Sequence, residues 1–369
     1  MRIAMVTPRL DAGGAERVTV NLSEALIDRG HTVALLADSG NGEHYLRTPR
    51  IERVVVPDGG RGLGPTARQA LALGRFARGW RADVVHAQNV RACAMSVSAR
   101  VQGIATIASF QGIDASEYKT AARVFRAANM VGCVSDELRD GLVAAGYPAH
   151  RARTIPNAVD PMPALSEEER AALIGELDLP RSSRIVACVG RMVPQKNHEL
   201  FLDAAAKVVE NDPSVHFVLV GDGPLRSDLE RQRMQLGIEA NVTFTGIRKD
   251  ARRIIDLADV VVFSSSWEGL SLVALESLAA GTPLVTTPAH GMSELLSGGG
   301  GVISDPTSEA LASALQRVLQ DGALLERLGA EGRAIIERTY SLDVMVDAYE
   351  AAYRDVVERA GRRGMSGGR

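Results

Sequence analysis

Three observations place this chain among α/β proteins built from two βα domains with parallel sheets. At 369 residues it is long for a single core and comfortable for two domains of ordinary size. Near its start a βαβ unit is written out: the apolar run Ile3 to Val6, the turn Asp11 to Glu16 with Gly13 and Gly14, the amphipathic stretch Arg17 to Arg29, and a second strand from Thr32 to Ala37. Far along the chain, VVVFSSSWEGLSLVALESLAAGTPLV (260–285) repeats the idea as strand, turn, helix, turn, strand.

Composition excludes several classes. Hydrophobic residues make up 46% and charged residues 24%, the balance of a globular chain rather than a disordered or fibrous one. No apolar run approaches the 18 or more residues of a spanning helix, and RIAMV passes straight into Thr7-Pro8-Arg9 without a secretory h-region, so a cytoplasmic protein is expected. Cys93, Cys133 and Cys188 are odd in number, lack metal-ligand spacing and sit among Ala, Gly and Val; they read as small buried residues. The net charge of −3 divides into +5 over residues 1–165 and −8 over the remainder. The Arg, Ala and Gly bias is that of a high-GC bacterial genome. Lysine is scarce, with Lys119, Lys196, Lys207 and Lys249 alone, which gives weight to a lysine at a motif position.

In chain order, the glycine turn after the first strand lies at a carboxyl edge, where open α/β sheets bind ligands, but it lacks the G-x-G-x-x-G order of dinucleotide sites. Pro65 to Trp80 reads as a basic amphipathic helix, with Leu71, Leu73 and Phe76 among Arg68, Arg75, Arg78 and Arg81. It suits either an anionic membrane surface or ordinary solvated packing. Asp83 to His86 is the next strand, ending in a polar edge His86-Ala-Gln88-Asn89. Ile104 to Phe110 follows and ends in Gln111-Gly-Ile-Asp114, and both edges are expected to face the ligand. Val131 to Val134 then leads to a helix capped by Ser135. After Pro161 and Pro163 the composition shifts to Ser166-Glu-Glu-Glu169, an N-capped helix, and the boundary is placed there: 1–163 for the first domain, 164–340 for the second, a last helix over 341–360, and a Gly/Arg/Ser-rich disordered tail over 361–369.

The second domain opens with the strand Arg184 to Val189 and the loop Gly190-Arg191-Met-Val-Pro-Gln-Lys196-Asn197. A guanidinium fork and an ammonium five residues apart at a strand's carboxyl end make a diphosphate clamp, each charge-assisted bond worth roughly 1.5–3 kcal/mol. Strands His216 to Val220 and Asn241 to Gly246 come next, the latter followed by Ile247 and Arg248. In the 260–285 unit the first-turn amides of Ser271 and Leu272 suit an anion. Glu276, one turn below Leu272, is placed to accept ribose hydroxyls, and Glu268, in the preceding turn, to reach sugar hydroxyls beyond a diphosphate. Helices fill Glu309 to Gln320, Leu324 to Arg338 and Tyr340 to Glu358.

The E-x7-E spacing of Glu268 and Glu276 within WEGLSLVALESLAAGTPLV resembles the donor-site signature of retaining glycosyltransferases of family 4. The GR-x-x-x-x-K order of Arg191 and Lys196 and the Thr154 to Asp160 segment, similar to the family's IPNGVD, extend the resemblance over nearly the whole chain. It implies the GT-B fold, two facing Rossmann-like domains with a C-terminal helix crossing back to the first. By the same resemblance the second glutamate holds the ribose, the first lies by the donor sugar, and Ile247 and Arg248 frame the base. Gly13 and Gly14 become donor-phosphate and acceptor-side residues, a role equally open to a purely structural turn. The family often carries a histidine at the place of Gln111; glutamine can hydrogen-bond there but cannot exchange a proton, leaving His86 as the other candidate in this region. Asn89 and Asp114 are assigned to the acceptor side.

The expected activity is transfer of a sugar from a nucleotide-sugar, by default a UDP-sugar, to a hydroxyl on a glycan, lipid or natural product, with retention and without nucleic acid or cofactor. No Asp-x-Asp is present, so the diphosphate charge falls to Arg191, Lys196 and the helix start rather than to a metal. Rival readings are a GT-B epimerase or sugar phosphorylase, a double-Rossmann dehydrogenase, which the missing G-x-G-x-x-G disfavours, and a non-catalytic nucleotide-sugar-binding subunit.

Overall fold

The computed structural model describes residues 1–11, 13–40, 42–46, 48–56, 60, 62–161, 163–289 and 291–366. The chain forms two compact units, Met1–Ala158 with Leu342–Arg369, and Val159–Ser341.

Unit 1 is built on seven strands: β1 (Arg2–Arg9), β2 (Thr32–Asp38), β3 (Glu52–Val55), β4 (Val84–Ala87), β5 (Ala105–Phe110), β6 (Met130–Cys133) and β7 (Ala152–Thr154). All neighbours pair in parallel, in the order β3-β2-β1-β4-β5-β6-β7. Buried on both faces, β1, β4 and β5 are mostly apolar, as a sheet covered by helices requires, with His86, Thr106 and Ser109 among the buried polar exceptions. The helix Gly14–Asp28 follows β1 with Gly13 as its N-cap.

Unit 2 carries β8 (Arg184–Val189), β9 (Val215–Val220), β10 (Val242–Gly246), β11 (Val260–Phe263), β12 (Leu284–Thr286) and β13 (Gly301–Ile303), again all parallel, ordered β10-β9-β8-β11-β12-β13. Its core packs Phe201 edge-on to Phe217 among Leu202, Leu219, Val262 and Leu315. Ser166 caps the helix Glu167–Glu176 with a full capping box, Glu169 answering its backbone N–H.

The changeover between units lies a few residues before the expected Pro161 to Ser166. Val159 already bridges to Ser341, and its N–H donates to Tyr340 O at 3.0 Å. The last helix, Leu342–Ser366, packs on β5 and on the helix Gly14–Asp28 of unit 1. It is held by Arg29 to Asp343 (2.7 Å) and Asp347 (2.8 Å), by His31 to Glu350 (2.8 Å), and by Arg153 to Asp355. The helix runs on through Ser366, past the 360 expected for it. The i,i+4 pair Arg359–Asp355 (2.7 Å) supports the last turns, and no proline interrupts them; 367–369 lie outside the described residues. No described helix is long and apolar enough to cross a membrane.

Candidate active site

In unit 2 the strand order reverses between β8 and β11, which pair directly (Val260 with Val186, Val261 with Ala187), so the loops leaving their carboxyl ends are neighbours. After β8, Gly190 N–H donates to Val220 O (2.9 Å) and Met192 N–H to Asp222 O (2.9 Å), while the fully buried Met192 side chain anchors the loop in the core. Arg191 between them is exposed and, among the described residues, makes no ion pair. A short 3-10 turn, Pro194–Lys196, and the left-handed Asn197 (φ 47°) aim the chain into the helix His198–Asn211.

Four hydrogen bonds join this loop to the one after β11. Ser264 Oγ donates to Lys196 O (2.9 Å), Ser266 N–H to Gln195 O (2.9 Å), Gln195 Nε2 to Trp267 O (2.9 Å), and Lys196 Nζ to Glu268 Oε1 (2.6 Å). Ser265 Oγ adds a second short bond to the same oxygen, also 2.6 Å. Glu268 is 5% exposed, so its charge is held inside the protein by partners rather than by water.

Four residues later the helix Leu272–Ala280 begins. Its N-cap, Ser271 (ψ 125°), makes no side-chain capping bond, and a helix start is where an anion is favoured. Gly281, at φ 80°, ends it. Glu276 lies on this helix, 3% exposed, with Arg252 Nε 3.3 Å from its Oε1; Arg252 in turn donates from Nη2 to Asp160 O (3.1 Å).

Two glycines make the convergence sterically possible. At Gly221 (φ 138°) a Cβ would stand 2.0 Å from Gly190 O, and at Gly291 (φ 81°) 2.5 Å from Gly269 O, so only glycine lets the loops after β9 and β12 close against the site. Beyond β10, Ile247 is 72% exposed, whereas the Arg248 guanidinium is tied to Asp250 (2.7 Å) and Glu176 (2.7 Å), which push its pKa upward.

Unit 1 distributes its expected site residues less evenly. Gly13 and Gly14 stand at the start of the helix after β1, Gly14 exposed. Asn89 is spent as an N-cap, accepting from Ala92 N–H (2.8 Å). Asp114 accepts from Ser116 N–H (2.9 Å) and Oγ (2.6 Å), and these bonds hold its pKa down. Gln111 Oε1 accepts from Asn157 Nδ2 (2.9 Å), while its Nε2 is buried without a described partner. His86 is corrected from a catalytic candidate to a core residue. It is 0% exposed inside β4 rather than at its edge, with Nδ1 2.8 Å from Tyr353 Oη and Nε2 2.8 Å from Ser109 Oγ, which also meets Tyr349 Oη at 2.8 Å. Burial lowers its pKa to about 3, so the ring stays neutral near pH 7, and both its nitrogens are engaged by Tyr353 and Ser109.

Ser265 and Arg252, the partners of the two glutamates, were not singled out from the sequence. Ser265 stands three residues before Glu268 in the same turn, a spacing that short serine-to-carboxylate bonds favour; Arg252 carries no such local signal. Cys93, Cys133 and Cys188 are free and buried, and burial pushes each thiol up to about 12.

Two parallel Rossmann-like sheets, with an acidic and basic constellation at the reversal point of the second, define a transferase of the GT-B fold. The description "Glycosyltransferase Family 4" matches residues 12–162 and "Glycosyl transferases group 1" matches residues 169–335. The chain belongs to this glycosyltransferase family. It is 26% identical over 351 residues to the lipopolysaccharide core biosynthesis glycosyltransferase LpsE of Rhizobium meliloti, covering 91% of this chain and 94% of that one. To the alpha-D-kanosaminyltransferase of Streptomyces kanamyceticus it is 31% identical over 237 residues, 63% of this chain and 61% of the other. Among solved structures, Anabaena Alr3699/HepE in complex with UDP-glucose superposes with a TM-score of 0.86 at 21% identity, covering 96% and 100% of the two chains.

Proposed function

We propose that this glycosyltransferase uses a UDP-sugar and transfers the sugar to a hydroxyl acceptor with retention of anomeric configuration and without a metal. The observation that carries the reading is the Lys196–Glu268 pair (2.6 Å) beside the uncapped start of the helix Leu272–Ala280. Lys196, Arg191 and the first-turn amides near Ser271 and Leu272 balance the diphosphate, Glu268 faces the donor sugar, and Glu276 takes the ribose. Ile247 and Arg248 lie along the base through their main chain; in unit 1, Gly13, Gly14, Gln111 and Asp114 are the donor-phosphate and acceptor-side residues, the Asn89 side-chain carbonyl being committed to its helix cap. The new bond joins the acceptor oxygen to the anomeric carbon as the bond to the phosphate oxygen breaks, and the acceptor's proton passes to that phosphate.

UDP is favoured because the structural neighbour was solved with UDP-glucose and because a relative from Escherichia coli is named as a UDP-Gal-dependent galactosyltransferase. That relative's acceptor is a diphosphoundecaprenol, which favours a glycan or lipid acceptor and a cytoplasmic enzyme working at a membrane face. The exposed Arg68, Arg75 and Arg78, with Leu71 exposed among them on the helix Leu63–Gly79, supply a basic surface for that contact. The test is turnover of UDP-sugars with the product anomer read by NMR. Retained configuration and activity indifferent to EDTA are expected; an inverted product, or activity abolished by EDTA and restored by Mg²⁺, would overturn the proposal.

A further inference from the structure

Both donors that reach Glu268 converge on one atom. Oε1 accepts from Lys196 Nζ and from Ser265 Oγ, each at 2.6 Å, and no described residue donates to Oε2. The two donors differ in what can take them away. The Lys196 ammonium is the cation for which an arriving diphosphate competes, whereas the buried Ser265 hydroxyl carries no charge for the anion to attract.

Ser265 is built to stay. It is 3% exposed, and its carbonyl accepts from Thr287 Oγ1 (2.7 Å), while Thr287 N–H donates to Phe263 O (2.9 Å), so the loop starts after β11 and β12 are fastened together. The serines on either side have other work: Ser264 Oγ is committed to Lys196 O, and Ser266 holds Gln195 O through its backbone. Of the three consecutive hydroxyls, only that of Ser265 touches the carboxylate.

We infer that Ser265 is a positioning residue for sugar transfer: it keeps Oε1 of Glu268 fixed, and Oε2 turned to the donor sugar, once the diphosphate draws the Lys196 ammonium away. This rests on the reading of Glu268 as the carboxylate beside the donor sugar. Loading the diphosphate then does two things at once, satisfying the lysine and releasing the carboxylate, with the serine bond preserving its orientation.

The experiment is steady-state kinetics of the full chain with UDP-glucose as the donor probe, alongside calorimetric binding of UDP and thermal unfolding. The variants are Ser265→Ala, Ser265→Thr, Glu268→Ala and the Ser265→Ala/Glu268→Ala double substitution. A hydrogen bond to a charged group, lost where it matters for turnover, predicts a roughly 10- to 100-fold drop in kcat for Ser265→Ala. UDP affinity should stay within about twofold, Ser265→Thr should restore most of kcat, and Ser265→Ala should add nothing once Glu268 is gone. A Ser265→Ala enzyme with normal kcat while Glu268→Ala is impaired overturns the inference alone, as does a loss of UDP affinity that tracks the loss of Tm or a full extra penalty in the Glu268→Ala background. A Glu268→Ala enzyme as active as the parent, or a parent chain that neither binds UDP nor consumes UDP-glucose, sinks the functional reading beneath it.

Discussion

Burying His86 should make unit 1 sensitive to mild acid, by an amount that can be worked out. The imidazole titrates at 6.5 when unperturbed, and burial lowers it to about 3 in the folded chain. Between those values the unfolded chain binds a proton that the folded chain refuses, so stability rises with pH. The contribution is complete above the unfolded pKa and is lost as pH falls below it. From pH 6.5 to pH 4.5 the loss is about 2 kcal/mol, a substantial part of a domain's stability. The assay is urea denaturation of the full chain carrying Trp267→Phe, which leaves Trp80 as the sole tryptophan. Trp80 stacks on Phe76 with the Arg2 guanidinium 4.2 Å from its ring, so its fluorescence reports unit 1. The comparison is His86→Gln, which keeps a donor and an acceptor but no proton that titrates in this range. Carboxylates such as Glu350, whose pKa the bond from His31 lowers, lose their contribution in both chains and cancel. The parent should therefore lose about 2 kcal/mol more than the variant over that interval; equal losses would refute the argument.

Other substitutions separate the remaining roles. Glu268→Ala should lower kcat more than it raises donor KM, and Glu276→Ala should chiefly weaken nucleotide affinity; effects of both confined to KM would refute that division. Tyr353→Phe leaves a ring nitrogen of His86 buried without a partner and should cost about 1–3 kcal/mol in chemical denaturation, more than Tyr349→Phe, after which Ser109 still meets His86. Gly221→Ala sets a Cβ against Gly190 O at a φ of 138° and should destabilise unit 2 by roughly 2 kcal/mol or more, seen as a lowered Tm; an unchanged Tm would mean that the loops after β8 and β9 are free to part.

How far the sequence could be read depended on how local each signal was. The runs Arg184 to Val189 and Val260 to Phe263 match β8 and β11 to the residue, because a strand buried on both faces and stopped by glycine or serine advertises both ends. Ser166 and Gly281 announced a helix start and a helix stop for similar reasons. The edge strands β3 and β13, half exposed and only three or four residues long, carry too little pattern to find. Nor does the helix Arg226–Gln235, which buries only Leu229. At the site, the glutamate spacing was visible because it lies within one helix and its turn. The bond from Lys196 to Glu268 spans 72 residues and that from His86 to Tyr353 spans 267, and no periodicity records such pairs. His86 was misread for that reason: with its tyrosines out of sight, a polar residue near a strand end looks like an edge.

Because Val159 and Ser341 bridge to one another, the chain enters and leaves unit 2 at a single place, and unit 1 is assembled from two separated pieces. A ribosome therefore completes all seven strands of unit 1 before residue 155, yet His86 and Ser109 lack their tyrosine hydroxyls until Tyr349 and Tyr353 emerge, after the whole of unit 2 has been made. The domain begun first is the one finished last, and translation that stops near residue 341 would release a chain with the sheet of unit 2 whole and the sheet of unit 1 unsealed.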